Sequence, residues 1–324
     1  MNTQDYLRTQ LLDRKTRLLA AMKRGSSDHL NSLMREVDTA LEKMAGGTYG
    51  ICETCHDSIE HERIMTDPLA RNCLDHLSPD EQRVLERDLD LAFQVQTKLL
   101  PKKDLEAGRW RTAYHYEPAG PVSGDYCDLI IPEREQGALY FFTGDVSGKG
   151  VASSILMAQL YAMFRSLTRE AGPIHEVVGT ANHLFCESVI VGHFATIVAG
   201  KADDAGGVEI CNAGHCLPVL VKNGEVEILP STGFPIGMFC KSEYESIRVN
   251  LRPEDTLILY SDGITEARNS SHWQYGEQRL REVVGANFML APQDLLRVCV
   301  EDLKKFRNGV PASDDMTMLV IRRT

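Results

Sequence analysis

Two near-continuous apolar runs in this chain end on a bare carboxylate, and a third begins just after a pair of them. The stretch YFFTGDVSGKG, residues 140–150, stops at Gly144-Asp145 and opens into a glycine-rich turn. TLILYSDGITEA, residues 256–267, ends at Asp262-Gly263. SDDMTMLVIRR, residues 313–323, reverses the order, with Asp314 and Asp315 ahead of the apolar residues. Asp and Gly are common turn residues, so one such ending taken alone reads as turn chemistry. The recurrence constrains more. If the runs are strands of antiparallel sheets, the end of one lies beside the start of its neighbour. Asp145, Asp262 and Asp314 then converge on one edge. Carboxylates placed together repel and shift each other's pKa values. A cation stabilises such a cluster, and hard oxygen ligands suit Mg²⁺ or Mn²⁺. GPVSGDYCDL, residues 120–129, adds Asp125 and Asp128. In an extended segment these two face opposite ways, so one of them is expected to join the cluster.

The chain has 324 residues, enough for two domains and a sizeable core. Its 43% hydrophobic and 25% charged content fits a globular protein. A net charge of −11 disfavours holding nucleic acid through its phosphates. The N-terminus, MNTQDYLRTQLLDRK, lacks the apolar core of a signal peptide. No apolar stretch approaches the roughly 20 residues of a membrane span. A cytoplasmic protein with no membrane partner is the expectation. The nine cysteines are read as reduced thiols or metal ligands rather than a disulfide framework.

Residues 4–44 read as two helical segments. Leu7, Leu11, Leu18 and Met22 mark the first, and Leu30, Leu33, Val37, Leu41 and Met44 mark the second. RGSSD, residues 24–28, breaks them, with Ser or Asp available as an N-cap. The apolar stripes suit an internal seam or a dimer surface. Residues 78–103 predict a further helix, with Ser78 as N-cap, Pro79 in the first turn and Glu81 completing a capping box. Its Leu85, Leu89, Ala92, Gln96 and Leu99 follow a coiled-coil spacing with Gln96 as the polar exception. Packing on a neighbouring domain would use the same stripe. From about residue 108 the pattern becomes strands. Helices are expected after the GKG turn, over 174–189 and over 292–307, and a hairpin turn at Asn223-Gly224.

Between the hairpin and the linker helix lie Cys52, Cys55, Cys73 and His76, spaced C-x2-C-x17-C-x2-H. A C-x2-C knuckle sets two thiolates on one turn, and a second pair closes a tetrahedral zinc site. His56 and His61 are competing ligands. A closed four-ligand site is structural, and in a segment with few apolar residues the metal substitutes for a core. A redox switch that ejects the metal is a second use of such a site.

GGTYGICETC, ERIMTDPLARNC and the preceding helical hairpin resemble the DksA/TraR zinc-finger family. His76 stands where that family has its fourth cysteine, and the tip RGSSDHLN lacks the family's spaced acidic motif. Residues 85–324 resemble the SpoIIE-type branch of the PPM (protein phosphatase 2C-like) serine/threonine phosphatases. The stretches SGDYCDL, GDVSGKG, FATIVAG, NAGH, GFPIGMF, YSDGITEA and SDDMTMLVI occur in that family's order. The resemblance implies an α+β fold. An αββα sandwich over residues 105–324 follows a linker or switch helix over 78–104 and a hairpin with a small zinc finger over 1–77.

It also implies two Mn²⁺ or Mg²⁺ ions and one structural Zn²⁺. Asp145 would bridge the two ions, with the Val146 carbonyl as a further ligand. Asp262 and Asp314 would hold the first ion, and Asp125 would serve the second directly or through water. Asp128 and Asp315 default to turn or supporting roles, and Asn212 and His215 to structural ones. Lys149 reads as a solvated turn lysine or a phosphate contact; the arginine that grips phosphate in many eukaryotic relatives has no counterpart. The activity implied is hydrolysis of a phosphoserine or phosphothreonine by metal-activated water. The substrate would be a regulatory protein such as an anti-sigma-factor antagonist. The zinc domain would regulate, and the protein would dimerise through the linker helix. The rival reading is a DksA-like regulator of RNA polymerase with an idle phosphatase domain.

Overall fold

The computed structural model describes residues 3–23, 27–77, 79–133, 135, 137–170, 172–189 and 192–324. The chain divides into two units, Met1–Asp88 and Leu89–Thr324.

In the first unit, the apolar spacing yields helices α1 (Thr3–Met22) and α2 (Asp28–Ala45). The cap between the two candidates is Ser27, whose Oγ accepts from the Leu30 amide at 3.2 Å. Arg24, Gly25 and Ser26 of the predicted break lie outside the described residues. Leu11, Val37 and Ala40 form a small core with Leu18, Leu41, Met44, Tyr49 and Leu69 around it. The stripes therefore serve an internal seam. Helix α3 (His61–Thr66) and one 3-10 turn (Leu74–His76) follow. Helix α4 (Pro79–Leu99) is the predicted linker helix and carries residues of both units. The Ser78 cap assigned from sequence lies outside the described residues.

The second unit alternates strands and helices. In chain order these are β1 (Glu106–Ala107), β2 (Trp110–Glu117), β3 (Asp125–Ile130), β4 (Leu139–Val146), α5 (Val151–Leu167) and α6 (Ile174–Ser188). Then come β5 (Ala195–Ala202), β6 (Gly207–Ala213), β7 (Val219–Lys222), β8 (Glu225–Ile228), β9 (Ile247–Asn250) and β10 (Thr256–Tyr260). The chain ends with α7 (Asp262–Thr265), α8 (Glu277–Ala286), α9 (Pro292–Arg307) and β11 (Met316–Arg323). Two antiparallel sheets result, ordered β1-β2-β11-β10-β7-β8 and β3-β4-β5-β6-β9. Leu139 and Phe141 of β4 face Leu257, Leu259, Leu319 and Ile321 in the core between them. The alternate residues Tyr140 and Phe142 pack under Leu160 and Phe164 of α5 and Phe185 of α6. On the other sheet, Ile258 and Tyr260 pack under Leu280 of α8 and Leu295 and Leu303 of α9. The order is helices, sheet, sheet, helices: an αββα sandwich, as expected. Central strands covered on both faces need apolar residues at every position. Hence β4 and β10 read as continuous runs.

The β7–β8 turn has Asn223 at φ +51° and Gly224 at φ +83°, the hairpin geometry expected. Helix α8 was not anticipated; its buried Leu280 and Val284 are a single i,i+4 pair in a polar segment. The cysteine reading needs one correction. Cys186 of α6 is disulfide-bonded to Cys240, with Cα atoms 5.8 Å apart across 54 residues of sequence. Spacing does not encode a pairing made by tertiary approach. The other seven cysteines form no disulfide.

Candidate active site

The strand ends bring the aspartates together from both sheets. Asp125 opens β3, Asp145 is the last residue but one of β4, and the two stand opposite each other in the ladder. Asp262 follows β10 at the start of α7, and Asp314 precedes β11 in the other sheet. Burial, then the charges of Asp262, Asp314 and Asp315, push the Asp145 carboxyl up to about 7. Asp262 is also raised, by burial and then by Asp314 and Glu266. Asp125 is fully buried and held well above the usual range, by burial and then by Asp145. Its Oδ2 accepts hydrogen bonds from Ser261 Oγ, just after β10, at 2.8 Å and from Thr317 Oγ1 of β11 at 2.5 Å. The donor set is hard oxygen at an electrostatic cost that positive charge relieves. That fits a divalent cation.

The glycines beside these aspartates are there for space. A β-carbon on Gly144 would collide with the Thr196 carbonyl and the Ile197 side chain of β5. One on Gly263 would overlap the Asp315 carbonyl. One on Gly124 would sit 3.0 Å from the Val146 carbonyl oxygen and 3.3 Å from Asp145 Oδ1. The Gly-Asp pairs thus let backbone of neighbouring elements reach the site, a tighter requirement than turn formation.

Supporting residues separate cleanly. Asp315 accepts from the amides of Ala119 at 2.7 Å and Gly124 at 2.9 Å, pinning the loop before β3. Asp128 points to the helix side of its sheet. There it holds Arg165 of α5 through two bonds, at 2.9 and 2.8 Å. Only Asp125 of that pair joins the cluster. Asn212 closes the NAGH turn, its Oδ1 accepting from the His215 amide at 2.8 Å. His215 meets Thr196 Oγ1 at 2.9 Å, and burial pushes its pKa down to about 4. These are structural contacts. Lys149 is no free turn lysine: its Nζ donates to Asp314 Oδ2 at 2.9 Å and to the Ser313 carbonyl at 2.8 Å.

Three contributors were not singled out from sequence as part of this site. Ser261 and Thr317 lie inside the quoted motifs, one directly before Asp262 and the other two residues after Asp315. Gln96 was noted only as the polar exception on α4. It is buried, and it grips the backbone of Ser123, with Nε2 donating to the carbonyl at 2.7 Å and Oε1 accepting from the amide at 3.0 Å. Ser123 lies two residues before Asp125, so α4 reaches the site's backbone directly. Leu99 of the same stripe packs on the core under α5.

In the first unit, the ligand atoms of Cys52, Cys55, Cys73 and His76 all lie within 4.8 Å of one another. Cys73 Sγ is 3.7 Å from Cys55 Sγ and 3.1 Å from His76 Nδ1. His56 and His61 stand outside this group. Burial raises the Cys52 thiol, but hydrogen bonds from the Cys55, Cys73 and Thr54 backbone outweigh it and bring the pKa down to about 6. Burial and the neighbouring thiols push Cys73 up to about 11. The four residues could hold a soft-ligand metal ion.

The sequence profile of stage II sporulation protein E (SpoIIE) matches residues 135–324. The chain belongs to the SpoIIE family. Relatives of the chain include IcfG of Synechocystis, 28% identical over 266 residues, which are 73% of this chain and 41% of that protein. The phosphoserine phosphatase RsbU of Bacillus subtilis is 22% identical over 245 residues, covering 75% of this chain and 72% of RsbU. The chain thus spans less than half the length of IcfG. The PP2C domain of SiaA from Pseudomonas aeruginosa has the same fold, with a TM-score of 0.66 at 19% identity over 75% of this chain and 98% of that domain. Among the described residues, no helix is long and apolar enough to cross a membrane.

Proposed function

We propose that this chain is a metal-dependent serine/threonine phosphatase acting on a phosphorylated regulatory protein of the anti-sigma-factor-antagonist kind. The observation that carries the reading is the convergence of Asp125, Asp145, Asp262 and Asp314 from two sheets, with Asp145 pushed up to about 7. Kinship with RsbU, a phosphoserine phosphatase, supports the substrate class. Asp145, with the Val146 carbonyl, and Asp262, Asp314 and Asp125 are the residues that would hold the two ions. Bound there, two Mn²⁺ or Mg²⁺ ions supply an activated water and neutralise phosphoryl charge. Ser261 and Thr317 fix one oxygen of Asp125 by donating to it. Asp315 and Gln96 hold the backbone that carries Asp125 in place.

Zn²⁺ on Cys52, Cys55, Cys73 and His76 stabilises the first unit, which regulates the second through α4. The Gln96–Ser123 clamp supports that route. The exposed Val84, Leu91 and Val95 of α4 support dimerisation through this helix. An idle catalytic unit is the weaker reading, because the aspartates are intact and clustered.

The test is hydrolysis of an aryl phosphate and a phosphoserine peptide with Mn²⁺, with Mg²⁺ and with chelator. Activity is expected only with metal, and Asp145→Asn is expected to abolish it. Metal-independent activity, or full activity in Asp145→Asn, overturns the proposal. Absence of activity in every condition, with stable RNA polymerase binding in a pull-down, favours the idle-domain reading.

A further inference from the structure

We propose that Lys149 is a tethered counter-cation of the aspartate site, competing with divalent ions for Asp314. This rests on the metal-dependent reading above and concerns how that site is regulated. Both carboxylate oxygens of Asp314 are engaged. Oδ1 accepts from the Asp315 amide at 3.0 Å and Oδ2 from Lys149 Nζ at 2.9 Å. The ammonium is held a second time by the Ser313 carbonyl at 2.8 Å. An ammonium has three donors and no acceptor, so here it brings positive charge together with its donated hydrogen bonds.

The backbone sets this placement. Gly148 at φ +94° and Gly150 at φ +80° flank Lys149, conformations that strain residues with side chains. The turn brings Lys149 to Ser313 and Asp314, which lie 164 and 165 residues further along the chain. A divalent ion drawn to Oδ2 meets the lysine charge within bonding distance of the same oxygen. Like charges there repel, so the ion must displace the lysine. Displacement is feasible because the Lys149 side chain is 66% exposed and the Asp314 side chain 43%. The lysine thus occupies the site when metal is scarce and raises the metal concentration needed to fill it.

The experiment measures Mn²⁺ binding to the full-length protein by isothermal titration calorimetry, at one fixed pH, for wild type, Lys149→Met and Lys149→Arg. An exposed ion pair is weak, so Lys149→Met is expected to tighten Mn²⁺ binding about two- to fivefold. Lys149→Arg keeps the charge and is expected to stay near wild type. The gap between wild type and Lys149→Met should narrow at high salt, where the lysine contact is screened. Unchanged or weakened Mn²⁺ binding in Lys149→Met, with wild type binding normally, overturns this inference and leaves the phosphatase reading intact. So does an equal shift in both variants. Failure of the wild type to bind Mn²⁺ overturns the phosphatase reading, and the inference with it.

Discussion

Asp145 stands where β4 leaves its sheet, half-buried among three other carboxylates. Its proton is released near pH 7 in the folded chain and near 3.8 in the unfolded one. Between those values the folded state holds a proton that the unfolded state has lost. Stability of the metal-free protein therefore falls as pH rises from about 4 to about 7 and is level above that window. Asp145→Asn removes the charge. In chelator at about pH 8 this variant is expected to be more stable than wild type, on the order of 1–3 kcal/mol. The gap should close near pH 4. Denaturant melts of both proteins at the two pH values check this, and a wild type that is the more stable at about pH 8 contradicts it. One substitution would then abolish activity while stabilising the fold, the sign expected of strain kept for function.

At the scale of elements, the structure decides between the two uses open to the α4 stripe, a coiled-coil seam and a packing face. Leu99 packs on the core and Gln96 is buried, while Leu85 is 40% exposed. The C-terminal turns of the helix are therefore committed to packing. Gln96→Ala leaves the Ser123 amide and carbonyl buried without their partner, a cost of about 1–3 kcal/mol. It should also loosen the loop that aims Asp125. The expected outcome is a lower melting temperature together with a fall in kcat of roughly tenfold or more. A variant that melts lower but keeps wild-type kcat would confine Gln96 to stability.

Over the whole molecule, the two units draw on different sources of stability. The second has three apolar cores layered by two sheets. Among the described residues, the first has two small clusters, one built largely of the metal-site cysteines. Cys52→Ser is therefore expected to open residues 46–77 to limited proteolysis while the melting of residues 105–324 stays within about 2 °C of wild type. Equal destabilisation of both units would show that they fold as one.

The strand-end aspartates, the cysteine spacing and the two-faced apolar runs were legible in the sequence, because burial on both faces and ligand spacing are local properties of the chain. Helix α8 was less legible, since one apolar i,i+4 pair in a charged segment is a weak signal. The Cys186–Cys240 bond, the Lys149–Asp314 contact and the Gln96–Ser123 clamp were decided only by the tertiary structure. Each joins side chains or backbone from elements far apart in sequence. No periodicity records such a meeting; it follows from how the sheets, their helices and the C-terminal turns of α4 pack, which puts the lysine on Asp314 and Gln96 on the backbone two residues before Asp125.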